Sequence, residues 1–502
     1  KLLTTPEGFT KIKEAMLAVN IDMYTECFIL FDECEKLVQD VHYRDSIREP
    51  MNDFFHFQHK ALISATPIVP EKDNRFDSFM RVLIQPDYEY RQKLKLITTN
   101  NVLETLQEVI EAKRGTVCIF CNSIDSIDSF YRLIPELNNA CTFCSEDGQY
   151  KLWKGNRRKK SMMITELERY NFFTSRFYSA VDIICKNPPH VILISDLHGA
   201  TQSVIDPTTE AIQIIGRFRG GVNTVTHIAS IRPDLECMSA NEIDSWIQGA
   251  SHIFNGWKTQ LAQTSNIGER TLLQEAIGEN SYLPYLDANG KPDPFLIANL
   301  YEKEQVKRLY TSTDLLCSVY QQTDYFIFSH EERLMPVSDN ERMAIQHRLA
   351  KKKRAELIVR KLEEMEKMSR TTDKKVQKRY QRMLGNLLTT TNDRYIYDCF
   401  CRFGGDFIRE SDYNENKLRT ALNVSSEHTI KQSGQMRSSI QRTFPIGSEL
   451  SVQEVKSMLK QVYKKMGLNT GRGITTKELE QYAEIEKGWK HDNRTIKILK
   501  FK

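Results

Sequence analysis

The sequence predicts an α/β protein with parallel sheets over about the first 230 residues, followed by a mainly helical region. Short apolar runs alternate with amphipathic stretches as far as Ile228, a pattern typical of strands and helices that build a parallel sheet. One of these runs, 27–31, leads directly into two adjacent carboxylates, Asp32 and Glu33. After about Arg232 the strand pattern gives way to helical periodicity.

Length and composition limit the class of protein. With 502 residues the chain is too long for one core, and 40% hydrophobic with 27% charged residues is typical of globular domains. No run of 18 apolar residues occurs, so no membrane span and no membrane partner are expected. Eleven cysteines scattered through apolar runs are typical of a reducing cytoplasm.

The expected elements follow one another along the chain. A helix with Pro at its first turn is predicted over 6–20, and the strand 27–31 comes next. A further strand is expected near 61–63, ahead of Ser64-Ala65-Thr66-Pro67. The second α/β part contains predicted strands at 93–98, 116–121, 140–144, 191–195 and 224–228, with helices at 101–112, 124–133 and 207–216.

These patterns divide the chain into five parts. The expected boundaries are 1–88 and 89–231 for two α/β lobes, 232–340 for a helical region, 341–395 for a basic helical segment and 396–502 for a terminal module. Capping boxes at Ser451–Glu454 and Thr475–Glu478 each predict a helix start. Two helices and a hairpin from Trp489 onward suggest a small winged-helix-like module.

The carboxylates that follow the strand 27–31 are the first candidate for chemistry. A buried strand would place Asp32 and Glu33 at the mouth of a parallel sheet, where α/β proteins bind ligands. In a phosphoryl-transfer site Asp32 would hold Mg²⁺ through water, and Glu33 would orient the attacking water. The alternative is a strand end with two solvated acids.

Two cysteine pairs have a spacing that could indicate zinc, Cys118 with Cys121 and Cys141 with Cys144. Each pair lies within an apolar strand-like run. Because successive strand residues face opposite sides, positions i and i+3 point apart. Buried thiols are therefore predicted in place of a metal site.

Taken together, the motifs resemble those of superfamily 2 helicases and translocases of the DEAD/DEAH-like group, over roughly residues 1–230. The matching segments, in order over about 190 residues, are Thr4-Thr5-Pro6-Glu7, Asp32-Glu33-Cys34-Glu35, Ser64-Ala65-Thr66, Phe120-Cys121-Asn122-Ser123, Thr174 to Asp182, and Gln213-Ile214-Ile215-Gly216-Arg217-Phe218-Arg219. The resemblance implies two RecA-like lobes, the first incomplete and the second complete. It also implies ATP and Mg²⁺ as cofactors.

The resemblance assigns a role to each matching position. Glu33, Asp32, Arg217 and Arg219 are the implied catalytic residues, with Mg²⁺ held by Asp32 through water. Asp182, Gln213 and Gly216 would bind the nucleotide, and Ser64 with Thr66 would couple hydrolysis to strand movement. Thr5, Asn122, Ser123 and Thr174 would contact nucleic acid. An arginine from the facing lobe would stabilise the charge on the transferring phosphoryl group.

Four departures from the family pattern stand out. Glu35 occupies the fourth position of the acidic box, where Asp or His is common, which affects coupling to the Gln-Gly-Arg motif. Ala180 replaces a usual Gly, and Arg219 lies one residue before the expected position, so either Arg219 substitutes from a shifted backbone or Arg217 acts alone. No Gly-x-x-x-x-Gly-Lys-Ser/Thr loop occurs in the 502 residues, although such a loop cradles the β- and γ-phosphates. The chain also begins without Met, and we expect the intact protein to carry that loop upstream of Lys1.

A basic segment over 342–382 contains fifteen Lys or Arg against five acids. Its cluster Lys351, Lys352, Lys353 and Arg354 predicts contacts to nucleic-acid phosphates. The alternative is a solvated amphipathic helix, with a buried stripe formed by Leu349, Ile358, Leu362, Met365 and Met368. Both can hold at once.

The expected function is an ATP-dependent helicase or translocase acting on nucleic acid, DNA rather than RNA. The divergent motifs suggest replication or repair of a phage or mobile element, in the cytoplasm of a bacterial host, with replication or phage proteins as further partners. One alternative is a nucleic-acid-binding scaffold that keeps the fold without ATP turnover. Another is a restriction-type translocase subunit, although no nuclease residues are recognisable in the sequence.

Overall fold

The computed structural model describes residues 1–153, 159–164, 166–179, 181–287, 289–345, 349–369, 385, 388, 393–468, 473–490 and 493–502. The chain forms two compact units, Lys1–Asn340 and Glu341–Lys502. Among the helices in these ranges, none combines the length and the apolar character that crossing a bilayer requires.

The first unit is mixed α/β, as the sequence predicts. It begins with two parallel strands, β1 (Phe28–Asp32) and β2 (His59–Ile63), which bring Asp32 opposite Ile63. Four short helices belong to the same part of the chain: α1 (Phe9–Ala18), α2 (Met23–Glu26), α3 (Lys36–Gln39) and α4 (Met51–Phe54).

The prediction that β1 is a buried strand is wrong, because its residues alternate between exposed and partly buried positions. Ile29 and Phe31 pack on a core that also holds Leu37 and Phe54. On the opposite face, Phe28 and Leu30 are 63% and 52% exposed. The physical reason is that, within the described residues, this sheet has two strands and a helical cover on one side only.

A parallel sheet of eight strands forms the centre of the first unit, with strand order β10-β3-β9-β8-β4-β7-β5-β6. The strands are β3 (Gln92–Thr99), β4 (Val117–Cys121), β5 (Cys141–Phe143), β6 (Lys159–Ser161), β7 (Tyr170–Phe173), β8 (His190–Ser195), β9 (Thr224–Ala229) and β10 (Phe326–Arg333). Every neighbouring pair is parallel. The connecting helices are α5 (Val102–Glu111), α6 (Ile124–Leu133), α7 (Glu146–Trp153) and α8 (Glu210–Gly216).

The two cysteine pairs lie in this sheet, and both point apart as predicted. Cys118 and Cys141 belong to the apolar core on one face, whereas Cys121 and Cys144 belong to the core on the other. All four thiols are buried. Since each pair is split between two faces, neither pair can chelate one ion.

The helical stretch after β9 contains α9 (Ala240–Gln263), α10 (Ile267–Gly278), α11 (Pro294–Leu309) and α12 (Thr313–Gln322), and it returns to the sheet as β10. The sequence did not predict β10, which pairs with β3 over eight residues. A buried hydrogen-bonded network ties α11 and α12 to the sheet. His227 contacts the Tyr320 hydroxyl through Nδ1 and Ser195 Oγ through Nε2, and Ser195 contacts the Tyr310 hydroxyl.

The second unit is mainly helical, with α13 (Asp339–Met343) at the boundary between the units. Its helices are α14 (Lys351–Ser369), α15 (Arg394–Glu410), α16 (Glu415–Gln432), α17 (Gly434–Thr443) and α18 (Val452–Lys465). On α14, Ile358, Leu362 and Met365 are buried, which confirms that part of the predicted stripe. Leu349 is partly buried, and the side chain of Met368 lies outside the described residues.

The end of the chain is a small sheet of three antiparallel strands in the order β11-β13-β12. They are β11 (Glu449–Ser451), β12 (Ala483–Lys490) and β13 (Asn493–Phe501). The capping box at Ser451 begins α18 as predicted, whereas that at Thr475 begins a 3₁₀ helix, Thr476–Gln481. The predicted hairpin is present, and the winged-helix assignment stays a prediction.

Candidate active site

Strand β1 ends at the two predicted acids, which differ in conformation and exposure. Asp32 is exposed at the strand end, and its Oδ1 accepts a hydrogen bond from the Glu33 amide at 3.0 Å. Glu33 has φ of 54°, in the left-handed region that residues other than glycine rarely adopt. Such strain is of the order of 1–3 kcal/mol and clusters at functional sites.

Four side chains from three of the predicted motifs meet in one cluster, in which Glu35, Thr66 and Gln213 are buried. The Gln213 Nε2 group donates to Glu35 Oε1 at 2.7 Å and to Thr66 Oγ1 at 2.8 Å. The Ser64 hydroxyl accepts from the Thr66 amide at 2.9 Å and also lies close enough to Glu35 to lower the pKa of its carboxyl. Three segments that are far apart in sequence are therefore joined at a single point.

The carboxyl of Glu35 is fully buried, and this burial raises its pKa to about 7. Its second oxygen, Oε2, has no hydrogen-bond partner, and neither has Gln213 Oε1. A buried carboxylate with an unsatisfied oxygen is unfavourable unless it takes up a proton. Glu35 is thus poised to be protonated near neutral pH.

Arg217 approaches the predicted catalytic base. It caps the end of α8, where its Nε donates to the carbonyl of Gln213 at 3.0 Å. Its guanidinium Nη2 lies 3.9 Å from Glu33 Oε1, and 11% of its side chain is exposed. The resemblance implied a catalytic role for Arg217, which stays a prediction; in the structure its side chain forms an ion pair with Glu33.

The early arginine of the Gln-Gly-Arg motif takes a different partner. Arg219 Nε donates to Asp182 Oδ1 at 2.9 Å, and both side chains are exposed. The backbone supports the same contact, because the Ile183 amide donates to the carbonyl of Arg217 at 2.8 Å. Asp182 and Arg219 are thus adjacent, whereas Ala180 lies outside the described residues.

The remaining predicted residues of the first unit lie at element ends. Thr5 is exposed ahead of a short 3₁₀ helix, Pro6–Gly8, and Gly216 is the last residue of α8. Asn122 follows β4, and Ser123 caps α6 by accepting from the Ser126 amide. Thr174 is buried after β7, where its amide donates to the carbonyl of Phe143. The nucleic-acid contacts of Thr5, Asn122, Ser123 and Thr174 stay predictions, as does the contact of Gly216 with the nucleotide.

A cleft of about 700 Å³ runs along the open face of β1. It is lined by several predicted residues and by groups that the sequence did not single out, among them Thr5, Asp32, Glu33, Lys36, Arg44 and Ser179. In the ranges that the structure covers, no three His, Cys, Asp or Glu side chains are arranged as a metal-binding group.

Sequence reasoning missed a second polar contact between the same two parts of the first unit. Gln39 Nε2 donates to Thr209 Oγ1 at 3.0 Å and to Glu302 Oε1 at 3.1 Å. Burial raises the pKa of Glu302 to about 7 and that of Glu210 to about 8. The spacing offered a signal, since Gln39 follows Glu35 by one helical turn and Glu210 precedes Gln213 by one.

The basic cluster on α14 belongs to the second unit, and three of its four residues have a carboxylate neighbour there. Lys351 lies 3.3 Å from Glu415, and Lys352 lies 2.6 Å from Asp412. Arg354 pairs with the buried Asp393 at 2.8 Å. Their contact with nucleic acid stays a prediction, and any phosphate would compete with these carboxylates.

Comparison with known proteins assigns neither a family nor a function to this site. The chain matches no protein-family model and no curated protein.

Proposed function

We propose that the chain carries the motor core of an ATP-dependent nucleic-acid helicase or translocase, acting on DNA rather than RNA. The observation that carries the proposal is the buried contact of Gln213 with Glu35 and Thr66. It joins the acidic box, the Ser-Ala-Thr segment and the Gln-Gly-Arg segment, which the family resemblance selects by order alone. In this proposal both α/β parts are RecA-like lobes.

The acids and the arginine supply the chemistry. Asp32, exposed at the strand end, would hold Mg²⁺ through water, because Mg²⁺ is usually bound by one or two carboxylates together with substrate phosphates. Glu33 would orient the attacking water, and Arg217 would stabilise the charge that develops on the phosphoryl oxygens. The Glu33 and Arg217 side chains approach each other to 3.9 Å, and Glu33 lines the cleft.

Mg²⁺ supplies charge neutralisation between the phosphates when it is bound. The donor set fits this role only in part. An exposed carboxylate is available, whereas the 502 residues contain no phosphate-binding loop. Hydrolysis in this proposal therefore requires such a loop from further polypeptide. The exposed apolar side chains Phe28, Leu30 and Ile63 offer packing area beside the acids.

Coupling to strand movement would run through the Gln213 cluster. Because Gln213 and Arg217 lie on one helix, a shift of α8 that separates Gln213 from Glu35 also moves Arg217 relative to Glu33. The two contacts would then be made and broken together. Thr66 and Ser64 would transmit this movement of α8 to the first lobe.

The competing function is a nucleic-acid-binding scaffold without turnover. Two facts favour the scaffold. The 502 residues contain no phosphate-binding loop, and an ion pair already joins Arg217 to Glu33. In such a protein the pair would be structural. Nucleic acid would still bind, and no ATP would be consumed.

The deciding experiment is ATP hydrolysis by the full-length protein, with and without duplex or single-stranded DNA. We expect DNA to stimulate hydrolysis, and we expect Glu33→Gln to remove most of it while Glu14→Gln, an exposed acid on α1, leaves it unchanged. DNA binding without hydrolysis supports the scaffold. Equal rates in wild type and Glu33→Gln reject the motor. Strand displacement on DNA and RNA duplexes then identifies the substrate.

A further inference from the structure

The two units differ sharply in charge. Residues 1–340 carry 35 Lys or Arg against 46 Asp or Glu, a net charge of −11. Residues 341–502 carry 35 against 20, a net charge of +15. A polyanion that approaches this protein is therefore attracted by the second unit and repelled by the first.

Within the second unit, many basic side chains are already neutralised by neighbouring carboxylates. Besides the pairs on α14, this holds for the terminal hairpin. There, Lys487 pairs with Glu480 at 2.7 Å, and Lys500 pairs with Glu484 at 3.2 Å. Basic residues that lack such partners are thus the better candidates for a binding surface.

Helix α18 carries four lysines of this kind, Lys456, Lys460, Lys464 and Lys465. All four are exposed, and none lies within ion-pair distance of a carboxylate among the described residues. The single acid of this helix, Glu454, is in its first turn, where it is bound to Ser451 in the capping box. From Lys456 onward the outer face of α18 carries no negative charge.

Three of these lysines form a row. Lys456, Lys460 and Lys464 are four residues apart, so they follow one another at about 6 Å along one side of the helix. Like charges at this spacing destabilise a helix. The adjacent side of the helix is fixed in the core through Val455, Leu459 and Tyr463, so the row cannot turn inward.

The type of residue indicates the kind of contact. Lysine is a flexible point charge that suits phosphate, and it lacks the rigid fork with which arginine reads bases. The uncharged neighbours on the same face, Ser457 and Gln461, are hydrogen-bond donors of the type that contacts phosphate oxygens. Such a surface would bind the backbone without reading sequence.

We propose that the lysine row of α18 is a phosphate-contacting surface for duplex DNA, and that it provides the main DNA contact of the second unit in place of the cluster on α14. The row lies outside the candidate active site. Its role therefore holds whether or not the first unit hydrolyses ATP.

The test is equilibrium binding of a mixed-sequence 20-bp DNA duplex to the whole chain, by fluorescence anisotropy over 50–200 mM KCl. Each lost phosphate contact reduces the slope of log K against log salt by about 0.9. The triple variant Lys456→Gln, Lys460→Gln, Lys464→Gln should therefore reduce the slope by about 2 to 3 and weaken binding at 50 mM KCl by about tenfold or more.

Two matched variants serve as controls. Lys351→Gln, Lys352→Gln, Lys353→Gln removes the same charge from α14 and should change the slope by less than about 1. Replacing the three α18 lysines by arginine keeps the charge and should retain the slope, because the slope depends on the number of positive charges that contact phosphates. An unchanged slope in the α18 Gln variant, an equal loss in the α14 variant, or a loss seen with duplex RNA but not with DNA would each overturn the proposal.

Discussion

Replacing Glu35 by glutamine should make the protein more stable at high pH while leaving it little changed at low pH. In the wild type, a carboxyl with no exposed surface faces an amide whose oxygen lacks a partner. Glutamine at position 35 can still accept from Gln213 Nε2, and its own amide can donate to Gln213 Oε1. The substitution therefore replaces a proton-dependent contact with a permanent one.

The magnitude follows from the pKa of Glu35. Burial raises it to about 7 from an ordinary value of 4.5, so between these values the folded state binds more protons than the unfolded state. Stability from this group is therefore full below pH 4.5 and is lost as pH rises through 7. With 1.36 kcal/mol for each pKa unit, the loss is on the order of 3 kcal/mol, which corresponds to about 4 °C in Tm for a unit that spans Lys1–Asn340.

The assay is thermal unfolding of wild type and Glu35→Gln at pH 5 and pH 8.5. The quantity of interest is the Tm difference between the two proteins, because contributions from Glu210 and Glu302 are common to both and cancel. We expect this difference to increase by several degrees from pH 5 to pH 8.5. The exposed control Glu14→Gln should show no such increase. A Tm difference for Glu35→Gln that is the same at both pH values would refute the reasoning.

Two further predictions concern the buried network beneath α11 and α12. Tyr310→Phe removes a hydroxyl that donates to the carbonyl of Ile205 at 2.6 Å, so urea unfolding should show a loss of about 1–3 kcal/mol, whereas Tyr88→Phe at an exposed site should show none. Burial lowers the pKa of His227 to about 3. Its ring should therefore remain neutral at pH 5 by ¹⁵N NMR, and an imidazolium signal at that pH would contradict the network.

Much of the fold could be predicted because its signals are local. Helix α6 begins after Ser123, whose side chain caps it, and the apolar run before it gives β4. The alternation of strand residues was enough to place Cys118 and Cys121 on opposite faces of the sheet. Each of these inferences needs only a few neighbouring residues.

Pairing between strands that are far apart in the sequence was harder to predict. Strand β10 ends in Glu331, Glu332 and Arg333, which obscures its apolar start, and it pairs with β3 more than 200 residues earlier. The four-residue strand β7 is too short for a clear alternation. Both strands form because they pair with neighbouring strands of the sheet, and this pairing cannot be seen in the local sequence pattern.

The candidate site likewise has some features that the sequence predicts and others that it does not. The resemblance assigned Glu35, Thr66 and Gln213 to three motifs of one site, but it did not predict that the Gln213 amide contacts both Glu35 and Thr66. The raised pKa values of Glu210 and Glu302 depend on burial by distant segments, and so could not be read from the sequence. Likewise, the charge of Arg354 is evident from its residue type, whereas its partner Asp393 is not.

The most direct test of the central claim, that Glu33 and Arg217 are two halves of one hydrolytic site, is a double-mutant cycle on DNA-stimulated ATP hydrolysis by the full-length protein. Glu33→Gln and Arg217→Ala should each reduce the rate by about 10³-fold or more. Since residues that act as a unit are not additive, the double variant should be little slower than either single one. Reductions that multiply in the double variant, or an active Arg217→Ala protein, would contradict the claim.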